Sequence, residues 1–101
     1  MPSLSRQTLT ALEAAQALTA RDLALGALVA ALDPGRTQSL HTLAGVVCRM
    51  LETHSTGLAR ILAGARPPRD GIEAALAVLV RTGCPTSQRR LYGLLSDLLG
   101  G

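Results

Sequence analysis

The sequence predicts an all-α protein, a compact antiparallel bundle of about six short helices that forms a single domain over residues 1–101. Among its 101 residues are twenty Leu and sixteen Ala, which are both strong helix formers. Residues that favour strands are scarce, with five Val, two Ile, one Tyr and no Phe or Trp. The apolar residues recur at helical spacing in segments that end at a capping residue, a proline or a glycine. A chain of this length forms one domain with a single modest core.

The first two predicted helices cover Arg6–Leu18 and Ala20–Leu32. Thr19 and Asp22 have the spacing of a capping box, in which a threonine accepts a backbone hydrogen bond and an acid follows three residues later. We therefore expect a break there, with one continuous helix over both segments as the alternative. The second helix is apolar nearly all round, which is typical of a central element covered by its neighbours. The Asp-Pro-Gly sequence at 33–35 ends it, because proline cannot extend the helical hydrogen bonds.

The third and fourth helices lie on either side of a polar interruption at residues 54–57. The spacing of Leu and Val predicts the third helix over Gln38–Thr53. Ser55 or Thr56 then caps a short fourth helix that ends at Gly64. A Pro-Pro pair makes a stiff connection to the fifth helix.

The last two helices have clear start signals. Asp70 caps the fifth helix, with Glu73 at capping-box spacing, and the Gly-Cys-Pro sequence at 83–85 stops it. Thr86 or Ser87 begins the sixth helix, which carries a stripe of leucines. Across the whole bundle we expect six apolar positions to be inside the core: Leu25, Leu28, Leu43, Val47, Leu76 and Leu95.

The positive charge is concentrated in the C-terminal half. All ten basic residues are Arg, and the net charge is +3. Residues 1–56 hold four Arg and four acids, whereas residues 57–101 hold six Arg and three acids. An acidic protein surface or a nucleic acid would therefore meet this half.

Two of these arginines stand in an unusual place. Arg89 and Arg90 lie in the first turn of the sixth helix, where the helix dipole disfavours cations, although exposed arginines are also well screened by solvent. We predict a partner-binding basic face that contains Arg66, Arg69, Arg81, Arg89 and Arg90.

No catalytic or cofactor motif is present in the sequence. It has no Gly-rich phosphate loop, nucleophile elbow or paired-cysteine zinc spacing. His41 and Cys48 are seven residues apart, whereas helical metal ligands are usually three or four apart, and His54 and Cys84 lie outside that helix. The acids lie mostly at helix starts, which the helix dipole explains. We therefore expect no enzyme activity, no cofactor, no metal site and no small-molecule substrate, with Cys48 as a small core residue.

The sequence also predicts a cytoplasmic protein without a membrane span. The longest uninterrupted apolar stretch, Leu23–Leu32, has ten residues, and a span needs about 20. No charged leader followed by an apolar stretch is visible at the N-terminus.

Residues 72–98 resemble a helix-turn-helix. They hold a helix, a glycine-proline turn and a second helix that opens Ser-Gln-Arg-Arg at 87–90. The resemblance implies that Ser87, Gln88, Arg89 and Arg90 contact the edges of DNA bases. Leu79 departs from the pattern, because the family prefers a small residue at that position, where the two helices cross.

The chain also resembles the death-fold superfamily, particularly its caspase-recruitment domains, in its length and its number of segments. The closest likeness is in the last two helices, Ile72–Gly83 and Arg89–Leu99. The resemblance implies six antiparallel helices and assembly between basic and acidic faces, either with itself or with a protein partner. Bacterial relatives belong to defence proteins that respond to phage, and the Arg-only composition is typical of a bacterial genome. Continuous periodicity favours one shared core, so we rank a non-enzymatic assembly module first. The alternatives are a helix-turn-helix DNA-binding regulator and a small helical chaperone or inhibitor.

Overall fold

A computed structural model describes residues 6–99 and their side chains, apart from those of Arg6, Gln7 and Leu9. Within that range the chain is all-helical and contains no strand, which confirms the prediction of an all-α protein. The described residues form five helices and not the six predicted: α1 Arg6–Leu32, α2 Leu40–Thr53, α3 Ser55–Leu62, α4 Gly71–Arg81 and α5 Gln88–Leu99.

The difference in helix number arises at Thr19. The break predicted there is wrong, and α1 is the single continuous helix that was the alternative prediction. The Thr19 hydroxyl donates to the carbonyl oxygen of Ala15 at 3.0 Å, so it bonds within the helix and does not cap a new one. The Asp22 carboxylate pairs with the guanidinium of Arg21 at 3.0 Å. Both side chains of the expected capping box therefore have other partners.

Only the C-terminal half of α1 is part of the core. Leu25 and Leu28 are fully buried there, and α1 packs mainly on α4 and also contacts α5. Leu23 on the same helix is 71% exposed, so the expectation that this segment is covered all round is wrong. We call residues 10–20 the α1 arm, because nearly all of them are exposed. The arm is consistent with a radius of gyration of 15.1 Å, against about 13 Å for a globular domain of this size.

The loop between α1 and α2 is organised by Asp33, whose carboxylate is buried. It accepts hydrogen bonds from the backbone N–H groups of Gln38 and Thr37, both at 2.9 Å, and from the Thr37 hydroxyl. These N–H groups hold the pKa of Asp33 below its usual range. Gln38 therefore belongs to the loop, and the predicted helix start at Gln38 is wrong, because α2 begins at Leu40. Ser39 caps α2, since its hydroxyl oxygen accepts from the Thr42 N–H at 3.1 Å.

The starts of α3 and α4 differ in how well the sequence predicted them. Ser55 and Thr56 lie inside α3, and His54 precedes it without a side-chain cap, so the predicted caps are wrong. Asp70 caps α4 as predicted, because its carboxylate accepts from the Glu73 N–H at 2.8 Å.

The core lies where α2 packs on α5 and where α4 packs on α1 and α3. All six predicted core positions are fully buried, which confirms them: Leu25, Leu28, Leu43, Val47, Leu76 and Leu95. Cys48, predicted as a core residue, is only half-buried, and its thiol contacts the carbonyl oxygen of Thr86. Cys84 is buried instead, and burial raises the pKa of its thiol.

Candidate protein-binding site

The five predicted site arginines are distributed over two ends of α4 and the start of α5. Arg66 and Arg69 precede α4, whereas Arg81 is its last residue. The eleven residues of α4 separate these two ends by about 16 Å, at ~1.5 Å for each residue. Arg89 and Arg90 begin α5, which packs mainly on α2. No single helix or turn brings all five together.

Arg66 has an internal partner. Its guanidinium donates two parallel hydrogen bonds of 3.0 Å to the carboxylate of Glu73, which is only 8% exposed. The backbone N–H of Arg69 donates to the same carboxylate at 2.7 Å. Arg66 first, and then the Arg69 N–H, lower the pKa of Glu73 to about 2. Gly57 leaves room for this arrangement, because a Cβ there would lie 2.8 Å from the Arg66 Nη2. Arg66 therefore holds the turn before α4.

Arg81, Arg89 and Arg90 are exposed and have no ion-pair partner among the described side chains. The ion pairs within residues 6–99 use Arg21 and Arg66. The guanidinium groups of α5 are therefore available to a partner molecule.

The first turn of α5 is held against α2 by polar contacts. The Gln88 Nε2 donates to the carbonyl oxygen of His41 at 3.2 Å and lies 3.4 Å from the His41 Nε2. A Cβ at position 45 would lie 2.9 Å from the same Gln88 nitrogen, so the glycine there leaves space for the Gln88 side chain. The Tyr92 ring meets the His41 ring edge-on, with centroids 6.2 Å apart. These contacts fix the position of the α5 N-terminus.

These residues form the candidate site. Arg89 lies three residues before Tyr92 and is therefore its neighbour on the helix surface. Tyr92 is the only tyrosine of the chain and is 44% exposed. We call His41, Gln88, Arg89 and Tyr92 the Tyr92 surface, and Arg90 flanks it. The i, i+4 spacing of Gln88 and Tyr92 in the sequence could have indicated that they share one face of the helix. The sequence gives no such signal for His41, because its place in the site depends on which helix α5 packs against.

A separate, mainly apolar groove of about 520 Å³ opens at the meeting of α2, α3 and α4. Its lining consists of Leu51, Glu52, Ser55, Leu58, Ala59, Leu62, Val80 and Thr86. Such a lining suits apolar side chains of a partner more than it suits proton transfer, since Glu52 is its one titratable member.

The residues considered as metal ligands are distributed over the molecule. Within residues 6–99, no three His, Cys, Asp or Glu side chains converge on one point. His41 contacts Gln88 and Tyr92, and Cys48 contacts the Thr86 carbonyl.

No protein-family model, curated protein or solved structure matches this chain. The resemblances to the helix-turn-helix and to the death-fold superfamily therefore stay predictions.

One stretch of the described chain, Thr10–Leu32, has the length and hydropathy of a membrane span, with a mean hydropathy of 1.3. The core helix of a soluble protein and a signal sequence meet the same criteria, and 22% of the most apolar window of this stretch is buried inside the protein. Leu25 and Leu28, which belong to this stretch, are fully buried in the protein core.

Proposed function

We propose that this protein is a non-enzymatic assembly module that binds an acidic protein surface through the Tyr92 surface and Arg90. The observation that carries the proposal is an exposed tyrosine with the exposed Arg89 beside it and the exposed Arg90 in the same turn of α5. The contact of Gln88 with His41 holds this turn in place. Tyrosine and arginine are, together with tryptophan, the residues that are enriched at binding hot spots. A site that is already ordered loses less conformational entropy when it binds.

The charge of the α5 N-terminus also supports an acidic partner. Two cations in the first turn of a helix are each disfavoured by about 0.3–1 kcal/mol, because the helix dipole is positive there. Among the described side chains no acid pairs with Arg89 or Arg90. Carboxylates of a partner would remove this repulsion and form charge-assisted hydrogen bonds.

A death-fold-like adaptor in bacterial defence against phage, in the cytoplasm, is the specific form of this proposal. Its support is the resemblance of the last two helices and the excess of arginine in the C-terminal half. Arg89 and Arg90 are the residues that we assign to the basic face.

DNA binding through residues 72–98 is the second candidate, because the same two arginines are exposed. In a helix-turn-helix the two helices pack against each other. Here α4 packs on α1 and α3, whereas α5 packs mainly on α2. Leu79, at the position where such helices would cross, is fully buried. These observations favour the protein partner over DNA.

The experiment compares capture of native partners by three forms of the full chain. We expect Arg89→Glu with Arg90→Glu to lose the proteins that the wild type captures from its host lysate. The matched control is Arg49→Glu with Arg60→Glu, which reverses the charge of two exposed arginines outside the Tyr92 surface. This control should still capture the same proteins as the wild type. Far-UV circular dichroism should be the same for all three forms. Tyr92→Ala should weaken binding by about 2 kcal/mol, or roughly 30-fold.

Fluorescence anisotropy with random duplex DNA distinguishes the second candidate. Binding at low salt that falls steeply as salt rises, and that disappears with Arg89→Glu and Arg90→Glu, would support DNA as the partner. Equal capture by the wild type and the Arg89→Glu, Arg90→Glu form would refute the proposed site.

A further inference from the structure

Helix α1 exposes two leucines on one side, Leu12 in the α1 arm and Leu23 three residues beyond it. Leu12 is 48% exposed and Leu23 is 71% exposed. They are eleven residues apart, which is about three helical turns, so they point in nearly the same direction. Apolar side chains at this spacing on a projecting helix are typical of an interface.

A shallow groove of about 430 Å³ continues this side of the helix onto the body of the protein. Leu23 and the small residues of α1 and α4 form most of its wall, and Arg81 stands at one end. Small side chains allow the backbone of another helix to approach closely. The groove is lined by Ala20, Leu23, Ala24, Ala27, Gly71, Ala74, Ala75, Val78 and Arg81.

We propose that the occupant of this groove is the α1 arm of a second copy of the chain, in a symmetric antiparallel pair. A two-fold axis near residues 17–18 places Leu12 of each copy beside Leu23 of the other. The same arrangement lays each arm over its partner's groove, because arm and groove belong to one side of one helix. The surface is therefore complementary to itself, as a two-fold interface requires.

The charges at the two ends agree with this pairing. Glu13 is the one charged residue of the arm, and it is exposed. Arg81, the last residue of α4, lines the same groove as Ala20 and Leu23 of α1. The two-fold axis brings Glu13 of one copy to the level of residue 22 of the other, where Arg81 stands at the groove. Two opposite-charge pairs result, one at each end of the interface.

The size of the contact sets the expected strength of the dimer. The paired stretch of α1 runs over residues 10–25, which is about 24 Å of helix, and a helix is about 10 Å wide. This footprint is smaller than the ~800 Å² for each partner of a standard interface. We therefore expect a reversible dimer whose population rises with protein concentration.

The experiment is sedimentation of the full chain over a series of concentrations. We expect the mass to rise from 10.5 kDa towards twice that value. Leu12→Asn and Leu23→Asn should each keep the chain monomeric without changing its far-UV circular dichroism. The matched control is Leu18→Asn, because Leu18 is also 50% exposed but lies about 120° away round the helix. This variant should still dimerise.

A charge reversal tests the register of the pair. Glu13→Arg and Arg81→Glu should each weaken the dimer at least several-fold, and the double variant should restore it.

A chain that stays monomeric at every concentration overturns the proposal. So does a dimer that is lost with Leu18→Asn but not with Leu12→Asn, or a monomer that sediments with phosphatidylcholine–phosphatidylglycerol vesicles. The proposal is independent of the Tyr92 surface, since Arg89→Glu with Arg90→Glu should leave the dimer intact.

Discussion

Replacement of Leu28 by alanine tests the account of the core most directly. Leu28 is fully buried and belongs to α1, which packs mainly on α4. Loss of its methyl groups removes the transfer free energy and leaves a cavity, which together cost about 2–5 kcal/mol. The free energy of unfolding of a domain of this size is about 5–15 kcal/mol, so the variant loses a large share of it. The melting temperature should fall by roughly 4–8 °C for each kcal/mol.

The matched control on the same helix is Leu23→Ala. This side chain is 71% exposed, so the same chemical change should cost only about 0.5–1 kcal/mol when full burial is worth ~1.5–3. Urea unfolding followed by far-UV circular dichroism at low protein concentration measures both values. Equal losses for Leu28 and Leu23 would refute the burial pattern of α1. A cost at Leu23 that grows with protein concentration would agree with the proposed dimer.

Two further predictions concern the ion pair before α4. The pKa of Glu73 is about 2 in the folded protein and 4.5 in its ordinary state, so its stabilising effect is present above pH 4.5 and is lost as pH falls towards 2. Melting temperatures over this pH range should fall more steeply for the wild type than for Glu73→Gln, and parallel curves would contradict the pairing. Gly57→Ala should stabilise an Arg66→Ala background by about 0.5–1 kcal/mol through helix propensity, but should stabilise less or destabilise when Arg66 is present. A double-mutant cycle by urea unfolding measures this coupling, and an equal effect in both backgrounds would show that Gly57 does not make room for Arg66.

The sequence predicted those features that depend on one segment at a time. Leucines at helical spacing identified the core positions, and Asp70 with Glu73 identified the start of α4. Thr19 and Asp22 have the same spacing but do not cap a helix. In the continuous α1, Thr19 bonds to the Ala15 carbonyl and Asp22 pairs with Arg21. A local motif cannot reveal that competition. Leu23 was expected to be covered because its segment is apolar all round, yet α4 and α5 cover only one side of α1.

The candidate site was predicted only in part, because its geometry depends on contacts between segments. Arg89 and Arg90 were found from their place in the first turn of a helix. Arg66 was assigned to the same face, but its bond to Glu73 crosses a turn and has no periodic signal. The place of His41 beside Tyr92 follows from the packing of α2 on α5, which periodicity does not encode.

The separation of the α1 arm from the Tyr92 surface has a consequence for avidity. The two surfaces have no residue in common, so a pair joined through its arms would present two copies of the Tyr92 surface at once. The second contact with an acidic protein partner that carries several copies of its own binding surface would then be intramolecular. Such bivalent capture multiplies a weak single-site affinity by roughly 10²–10⁴ without any new contact. A protein of this size would thereby respond to how densely its target is assembled.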